Sequence, residues 1–257
     1  MIRRILLGVA GALSVLWRLL PEGVRRMLFT SLFVVESRGD AGSGMSRLFI
    51  IRDKLDWVIN ERAITYGRGE HPKHRLTNYH QFFVDHIEPG SRVLDVGCGY
   101  GAVARTIARQ VPDSIVLGVE LDNTRYLQAV ATDNPANLSF ANADARNGIF
   151  PGKWDVVVMS NVLEHIEDRT GLLRDLVANL SPAKILIRVP LFERDWMIPM
   201  RQELGIPYFS DATHFVEHRL SDFTNEMNES GLRIREIFTC WGEIWADCRP
   251  VTGERNG

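Results

Sequence analysis

The spacing of apolar and polar positions along this chain passes through three regimes. Residues 5–17 form an uncharged run that a break at Pro21 should end, and a second apolar stretch covers 27–35. The Gly-Asp-Ala-Gly-Ser-Gly-Met-Ser segment at 39–46 reads as a flexible linker by composition. Leu48, Ile51, Leu55 and Val58 then recur at helical spacing, which predicts an amphipathic helix over 47–63. A loop at 65–72 leads into a second helix through Leu76, Tyr79, Phe83 and Ile87, which ends before Glu88-Pro89-Gly90. From there the period changes. Short β-branched runs at 93–96, 115–119, 155–159 and 185–187, with a further strand at 138–141, alternate with helical stretches. That order predicts an α/β fold, a doubly wound and mostly parallel sheet covered on both faces, with N-terminal helices added to it.

Composition narrows the picture only locally. Of 257 residues, 45% are hydrophobic and 24% charged, which allows a sizeable core and excludes disorder and coiled coil. Lys and Arg number 30 against 32 Asp and Glu, so the net charge of -2 gives no global pull toward nucleic acid. Residues 1–35, in contrast, hold Arg3, Arg4, Arg18, Arg25 and Arg26 and a single acid, Glu22. The apolar run is shorter than the roughly 20 residues that span a bilayer, and no small-x-small cleavage site follows Trp17. Two readings of this segment stand: a membrane-surface anchor with arginines on anionic headgroups, or helices packed on the rest of the protein. Cys98, Cys240 and Cys248 form no C-x-x-C pair, and their odd number fits a reducing compartment.

The densest chemistry lies in Asp95-Val96-Gly97-Cys98-Gly99-Tyr100-Gly101, which follows a strand and opens a helix over 102–110. Residues without a Cβ let a ligand lie against the main chain there, and the helix start offers free amides. With Ala102 the loop also satisfies the dinucleotide pattern G-x-G-x-x-A. Three further marks sit at the carboxyl ends of strands, where open α/β sheets bind ligands. Glu120 closes the second strand, where a carboxylate can accept both hydroxyls of a ribose. Asp144 sits in Asn142-Ala143-Asp144-Ala145, and Asn161-Val162-Leu163-Glu164-His165 follows the fourth strand. Taken singly, each carboxylate could instead cap a turn or a helix.

Together, Asp95-x-Gly-x-Gly-x-Gly, Glu120, Asp144 and the Glu164-His165 pair resemble the class I S-adenosylmethionine-dependent methyltransferases over residues 90–240. The likeness is to the small-molecule branch, whose fourth strand ends in a leucine-Glu-His signature. It implies a Rossmann-like seven-stranded sheet with an antiparallel last strand, completed by strands at 232–239 and 241–247. It also implies that Gly97, Gly99 and Gly101 line the methionine part of S-adenosylmethionine while Asp95 orients its amino group. Glu120 would hold the ribose, flanked by Leu121 and Asp122 near the adenine. Asp144 and the backbone of Ala145 would bind the adenine edge, and Asn161 would face the methionine and sulfonium. That cofactor carries no phosphate, and the glycine loop carries no Lys or Arg. A dinucleotide enzyme would need neither the carboxylate at 95 nor the Asn-x-x-Glu-His stretch.

An oxygen acceptor gains from a base that takes its proton, and His165, His214 and His218 are the candidates. His165 could equally orient the helix it begins. His214 and His218 are four apart, but Glu217 is misplaced for a zinc hydrolase and no metal site is expected. The stretch 190–218 is long, with Phe192, Trp196, Tyr208, Phe209 and Phe215 beside Arg188, Arg194 and Arg201. The resemblance makes it an acceptor lid, and the alternative is a small satellite core. The chain is thus expected to divide into an N-terminal segment (1–40), a helical cap (41–89) and a methyltransferase domain (90–257). The expected activity is O-methylation of a small-molecule or lipid-linked acceptor, cytoplasmic and peripheral on the inner membrane, with no nucleic-acid partner. A soluble sugar or metabolite methyltransferase and a non-catalytic scaffold of the same fold stay open.

Overall fold

A computed structural model describes residues 10–11, 13–147, 150 and 152–251. Arg3, Arg4, the start of the 5–17 run and the last six positions of the 90–257 domain lie outside the described residues. Seven strands form one sheet: β1 (Arg92–Val96), β2 (Ile115–Glu120), β3 (Leu138–Asn142), β4 (Val156–Ser160), β5 (Lys184–Pro190), β6 (Leu232–Cys240) and β7 (Glu243–Pro250). Their order is β3-β2-β1-β4-β5-β7-β6. The first five are parallel, and β7 lies antiparallel between β5 and β6. The sheet is therefore the doubly wound, seven-stranded arrangement expected, with its antiparallel element last in the chain.

Burial on both faces explains why the central strands read as unbroken apolar runs. Val157, Met159, Ile185 and Ile187 face helices α7 (Arg169–Leu180) and α9 (Leu220–Glu229), through Leu172, Leu173, Leu176, Phe223 and Met227. Val156, Val158 and Leu186 face the other way, onto α4 (Tyr79–Asp85) and α5 (Ala102–Gln110), through Phe82, Phe83, Val103 and Ile107. The strand order reverses between β1 and β4. That switch point opens a crevice at the carboxyl ends of both strands, where the glycine loop and Asn161 sit.

The N-terminal third departs from expectation in two places. The segment at 39–46 is not a linker, because helix α2 (Ala41–Tyr66) begins inside it. Asp40 caps that helix by accepting from the Ser43 amide at 2.9 Å. Gly44 lets α2 meet the preceding turn, where a Cβ would stand 2.3 Å from the Ser37 carbonyl oxygen. The glycines therefore serve close packing rather than flexibility. The helix expected through 76–87 is split into α3 (Lys73–Thr77) and α4 by Asn78, whose φ is +51°.

Helix α1 (Glu22–Glu36) starts beyond Pro21 and buries none of its residues. Met27, Phe29, Leu32 and Val35 are all exposed, with Leu32 at 61%. Trp17 meets Phe29 edge-on at 5.4 Å, so the segment before Pro21 packs on α1 rather than on the sheet. No helix among the described residues is long and apolar enough to cross a membrane. The 190–218 stretch contains α8 (Met197–Glu203), pinned to α2 by a forked pair from Arg201 to Asp53 at 2.6 and 3.1 Å.

Candidate active site

Two cavities flank one loop, residues 209–214. The smaller, about 530 Å³, lies over the carboxyl ends of β1, β2 and β4, and Gly97, Glu120, Leu121, Asp144, Ala145, Asn161 and His165 line it. The larger, about 700 Å³, lies between α2 and the 190–218 stretch, with Arg52, Trp57, Arg194, Tyr208, Phe209 and Trp241 in its wall. Phe209 and Ser210 face the larger space, while Asp211 and Thr213 face the smaller.

The glycine loop has the shape its composition demands. Gly97 and Gly101 adopt φ of +66° and +77°, and a Cβ on either would stand 2.7 Å from Val162 or 2.6 Å from Phe140. The Gly99 amide donates to Glu120 Oε2 at 2.8 Å, and the Asp122 amide donates to Oε1 at 2.8 Å. Each carboxylate oxygen has two lone pairs, so Glu120 keeps an acceptor site on both for a vicinal diol. Asp122 caps α6 (Asn123–Ala131) through the Arg125 amide and stands outside the cavity lining. Asp144 is spanned by Arg146 at 2.7 Å, whose hydrogen bonds hold the carboxylate below its usual range. Arg146 was missed in the sequence because nothing in Asp144-Ala145-Arg146 requires the side chain to turn back.

Two buried atoms ask for a ligand. Asp95 is 1% exposed and its Oδ2 has no hydrogen-bond partner; Asn161 Oδ1 is likewise buried and unpaired. Asn161 has φ of +58° just beyond β4, a left-handed conformation that is uncommon outside glycine and that asparagine tolerates. Asn161 is on the cavity lining, where an ammonium group would satisfy its oxygen, whereas Asp95, Gly99 and Gly101 stand behind the lining; the apolar wall from Val96, Val119, Ala143 and Val162 suits an adenosyl group. These residues fit S-adenosylmethionine.

Burial, reinforced by the Glu120 charge and opposed by the Ala104 amide, pushes Asp95 up to about 8. A raised carboxylate leaves stability intact below its ordinary value of 3.8 and loses it as pH climbs toward 8. Asp95→Asn is therefore expected to raise the melting temperature of the ligand-free chain near about pH 9, with the gain vanishing toward about pH 4. Thermal melts at both pH values check this, and a gain independent of pH would reject it.

The second cluster brings together residues far apart in sequence. Glu164 is fully buried, with neither carboxylate oxygen hydrogen-bonded. Burial pushes it up to about 7, against its own backbone amide and His214. Thr213 Oγ1 donates to Asp211 at 2.7 Å, so it accepts from His165 Nδ1 at 2.9 Å. His214 Nδ1 donates to Glu217 at 3.2 Å. Both hydrogen bonds leave Nε2 bare. The rings meet edge-on with centroids 4.5 Å apart, and burial followed by His214 lowers the proton affinity of His165. Ligating atoms of Glu164, His165 and His214 lie within 4.8 Å of one another. His218 is elsewhere: fully buried, edge-on to Phe223 and 3.5 Å from Glu226.

The model for the family described as "Methyltransferase domain" matches residues 68–237. The chain is 32% identical over 165 residues to a ubiquinone biosynthesis O-methyltransferase of Xanthomonas euvesicatoria, covering 61% of this chain and 68% of that one. It is 28% identical over 149 residues to a 2-methyl-6-phytyl-1,4-hydroquinone methyltransferase of Synechocystis, covering 52% of this chain. The match spans 46% of that enzyme's length, about half. Among solved structures, the putative methyltransferase in a complex with the Haloferax volcanii Trm112 activator superposes with a TM-score of 0.59 at 16% identity, over 76% of this chain and 96% of that one. A Synechocystis magnesium protoporphyrin IX methyltransferase with bound SAH gives 0.53 at 17%, over 69% and 83%. The chain belongs to the methyltransferase domain family, in its class I, S-adenosylmethionine-dependent form.

Proposed function

We propose that this protein methylates a hydroxyl oxygen of a small amphiphilic acceptor at a membrane surface. The observation that carries the reading is the Glu164–His165–His214 cluster, which reaches the wall of the cofactor cavity through His165. S-adenosylmethionine, when bound, supplies an electrophilic methyl carbon on a sulfonium. Asn161, backed by Asp95, takes its ammonium end, Glu120 its ribose, and Asp144 with the Ala145 amide its adenine edge. Binding the adenine edge requires Arg146 to release part of the Asp144 carboxylate. The cluster draws the proton from the acceptor hydroxyl, and positioning supplies the remaining acceleration. A nitrogen acceptor would need no such group once unprotonated.

The acceptor side is the cavity between α2 and the 190–218 stretch, whose aromatics and arginines suit a ring with an anionic or polar substituent. One relative is named for a hydroquinone and another for ubiquinone biosynthesis, which agrees with that chemistry. The unburied apolar face of α1, beside Arg18, Arg25 and Arg26, supports contact with anionic headgroups. Three free thiols suit the cytoplasmic face. The test is transfer of labelled methyl from S-adenosylmethionine to a quinol carried in phosphatidylglycerol vesicles. Label should appear as a methyl ether, and a Leu32→Glu plus Val35→Glu variant should lose vesicle binding and lipid-borne turnover while binding S-adenosylhomocysteine normally. Equal turnover on the vesicle-borne quinol by both proteins would remove the membrane from the reading; no ether from that quinol or from a water-soluble catechol would remove the hydroxyl.

A further inference from the structure

Three ligand-type side chains converge without satisfying one another. One ligand atom from each of two imidazoles and a fully buried carboxylate lie within 4.8 Å of one another, and neither Glu164 oxygen has a hydrogen-bond partner. A buried, unpaired acceptor costs about 1–3 kcal/mol, more when charged, and both Glu164 oxygens are of this kind beside the two imidazoles. The surroundings hold them in that state. Thr213 fixes the His165 tautomer from one side, itself anchored on Asp211, and Glu217 fixes His214 from the other, braced by Arg194 at 2.5 Å and the Ser210 amide. Imidazoles whose Nδ1–H is given to an oxygen acceptor, leaving Nε2 free, are the usual outer support of metal ligands.

We infer that Glu164, His165 and His214 form a binding site for one divalent transition-metal cation beside the methyl-donor cavity. This rests on the reading above, that the acceptor hydroxyl meets this cluster. Two nitrogens and one carboxylate suit zinc, manganese or ferrous iron rather than magnesium or calcium, which favour oxygen ligands. Three protein ligands leave an open position of the kind catalytic sites keep. The acceptor oxygen takes that position, where the cation lowers its pKa, so that the cluster assists proton loss through the cation and not by an imidazole accepting the proton itself. Its proton leaves to water, the oxygen forms a bond to the methyl carbon as the carbon–sulfur bond breaks, and the pair of electrons stays on sulfur. The products are a methyl ether, a neutral thioether and one proton. The rival arrangement is a metal-free cluster in which a proton bridges Glu164 and His214.

The test uses the full-length protein stripped with chelator, titrated with Zn²⁺ by calorimetry and with Co²⁺ by visible absorption. One equivalent should bind, with ligand-field bands for Co²⁺. Thr213→Val, at an exposed position, should weaken binding about 10- to 100-fold, and His165→Ala, His214→Ala or Glu164→Gln should weaken it further. S-adenosylhomocysteine binding and circular dichroism report that each variant is folded, and His165→Ala serves if the buried positions fail. His71→Ala and His74→Ala control for capture by the other histidines and should change nothing. Absence of a saturable site, or binding that follows His71 and His74 instead of the cluster, overturns the inference. So does a chelated protein that methylates hydroxyls at full rate, which leaves the proposed activity standing. A cation bound by the cluster in a protein that methylates no hydroxyl acceptor supports the site and refutes only the activity.

Discussion

Glu120→Ala is expected to weaken S-adenosylmethionine binding by about 10²- to 10⁴-fold without unfolding the chain. The carboxylate is the hinge between two segments of the cofactor site. It accepts from Gly99, which shapes the glycine loop, and from Asp122, which starts α6. Its remaining lone pairs are placed for two ribose hydroxyls. Each hydrogen bond to a charged acceptor is worth about 1.5–3 kcal/mol, and tenfold in affinity is about 1.4 kcal/mol. Loss of two such bonds gives the stated range before any relaxation of the loop. Glu120→Gln keeps the volume and one acceptor oxygen, so its loss should be intermediate. Calorimetry with S-adenosylhomocysteine reads the affinity, and circular dichroism reads the fold. A change smaller than about tenfold for Glu120→Ala would mean that the ribose is held elsewhere.

The fold was legible because period-2 and continuous apolar runs are local signals of burial. Val156–Met159 must be covered on both faces wherever the strand lies, and right-handed crossovers between parallel strands put the helices on those faces. The strand-end marks were legible for a related reason, since Asp95, Glu120 and Asn161 are fixed by short spacings from strands that were themselves clear. What escaped depends on contacts between distant segments. The glycines at 42 and 44 look like a linker until the Ser37 carbonyl stands against α2, and only that contact distinguishes packing from flexibility. Asn78 divides a helix by taking a left-handed conformation, which Asn tolerates without advertising it. Most of all, no spacing rule links 164–165 to 213–217. The H-x-x-x-H spacing sets His214 only beside His218 and does not read as a metal pair; the fold brings His214 to His165 and buries His218 against Phe223. The three side chains come from two loops at one end of the sheet, and their meeting is a property of topology.

His165→Ala is expected to lower kcat by about 10²- to 10⁴-fold while leaving the affinity for S-adenosylhomocysteine unchanged. The side chain is half-buried at the cavity wall, and its one orienting bond runs through Thr213, outside the Asp95 and Glu120 contacts that hold the cofactor. The lesion should therefore fall on the step that needs the acceptor proton removed, seen as a fall in kcat with little change in KM for the cofactor. Thr213→Val, which keeps the imidazole but frees its ring, should show the same direction at a smaller size. His218 provides the contrast. Its ring is fully buried and supports Glu226, which also pairs with Arg169 at 2.8 Å. His218→Ala should therefore lower the melting temperature, because the cavity and the loss of a partner for Glu226 Oε1 both cost stability. Turnover per folded molecule should change far less than in His165→Ala. Equal losses of turnover at the two positions would place the acceptor against His218 and end the assignment of proton removal to the cluster.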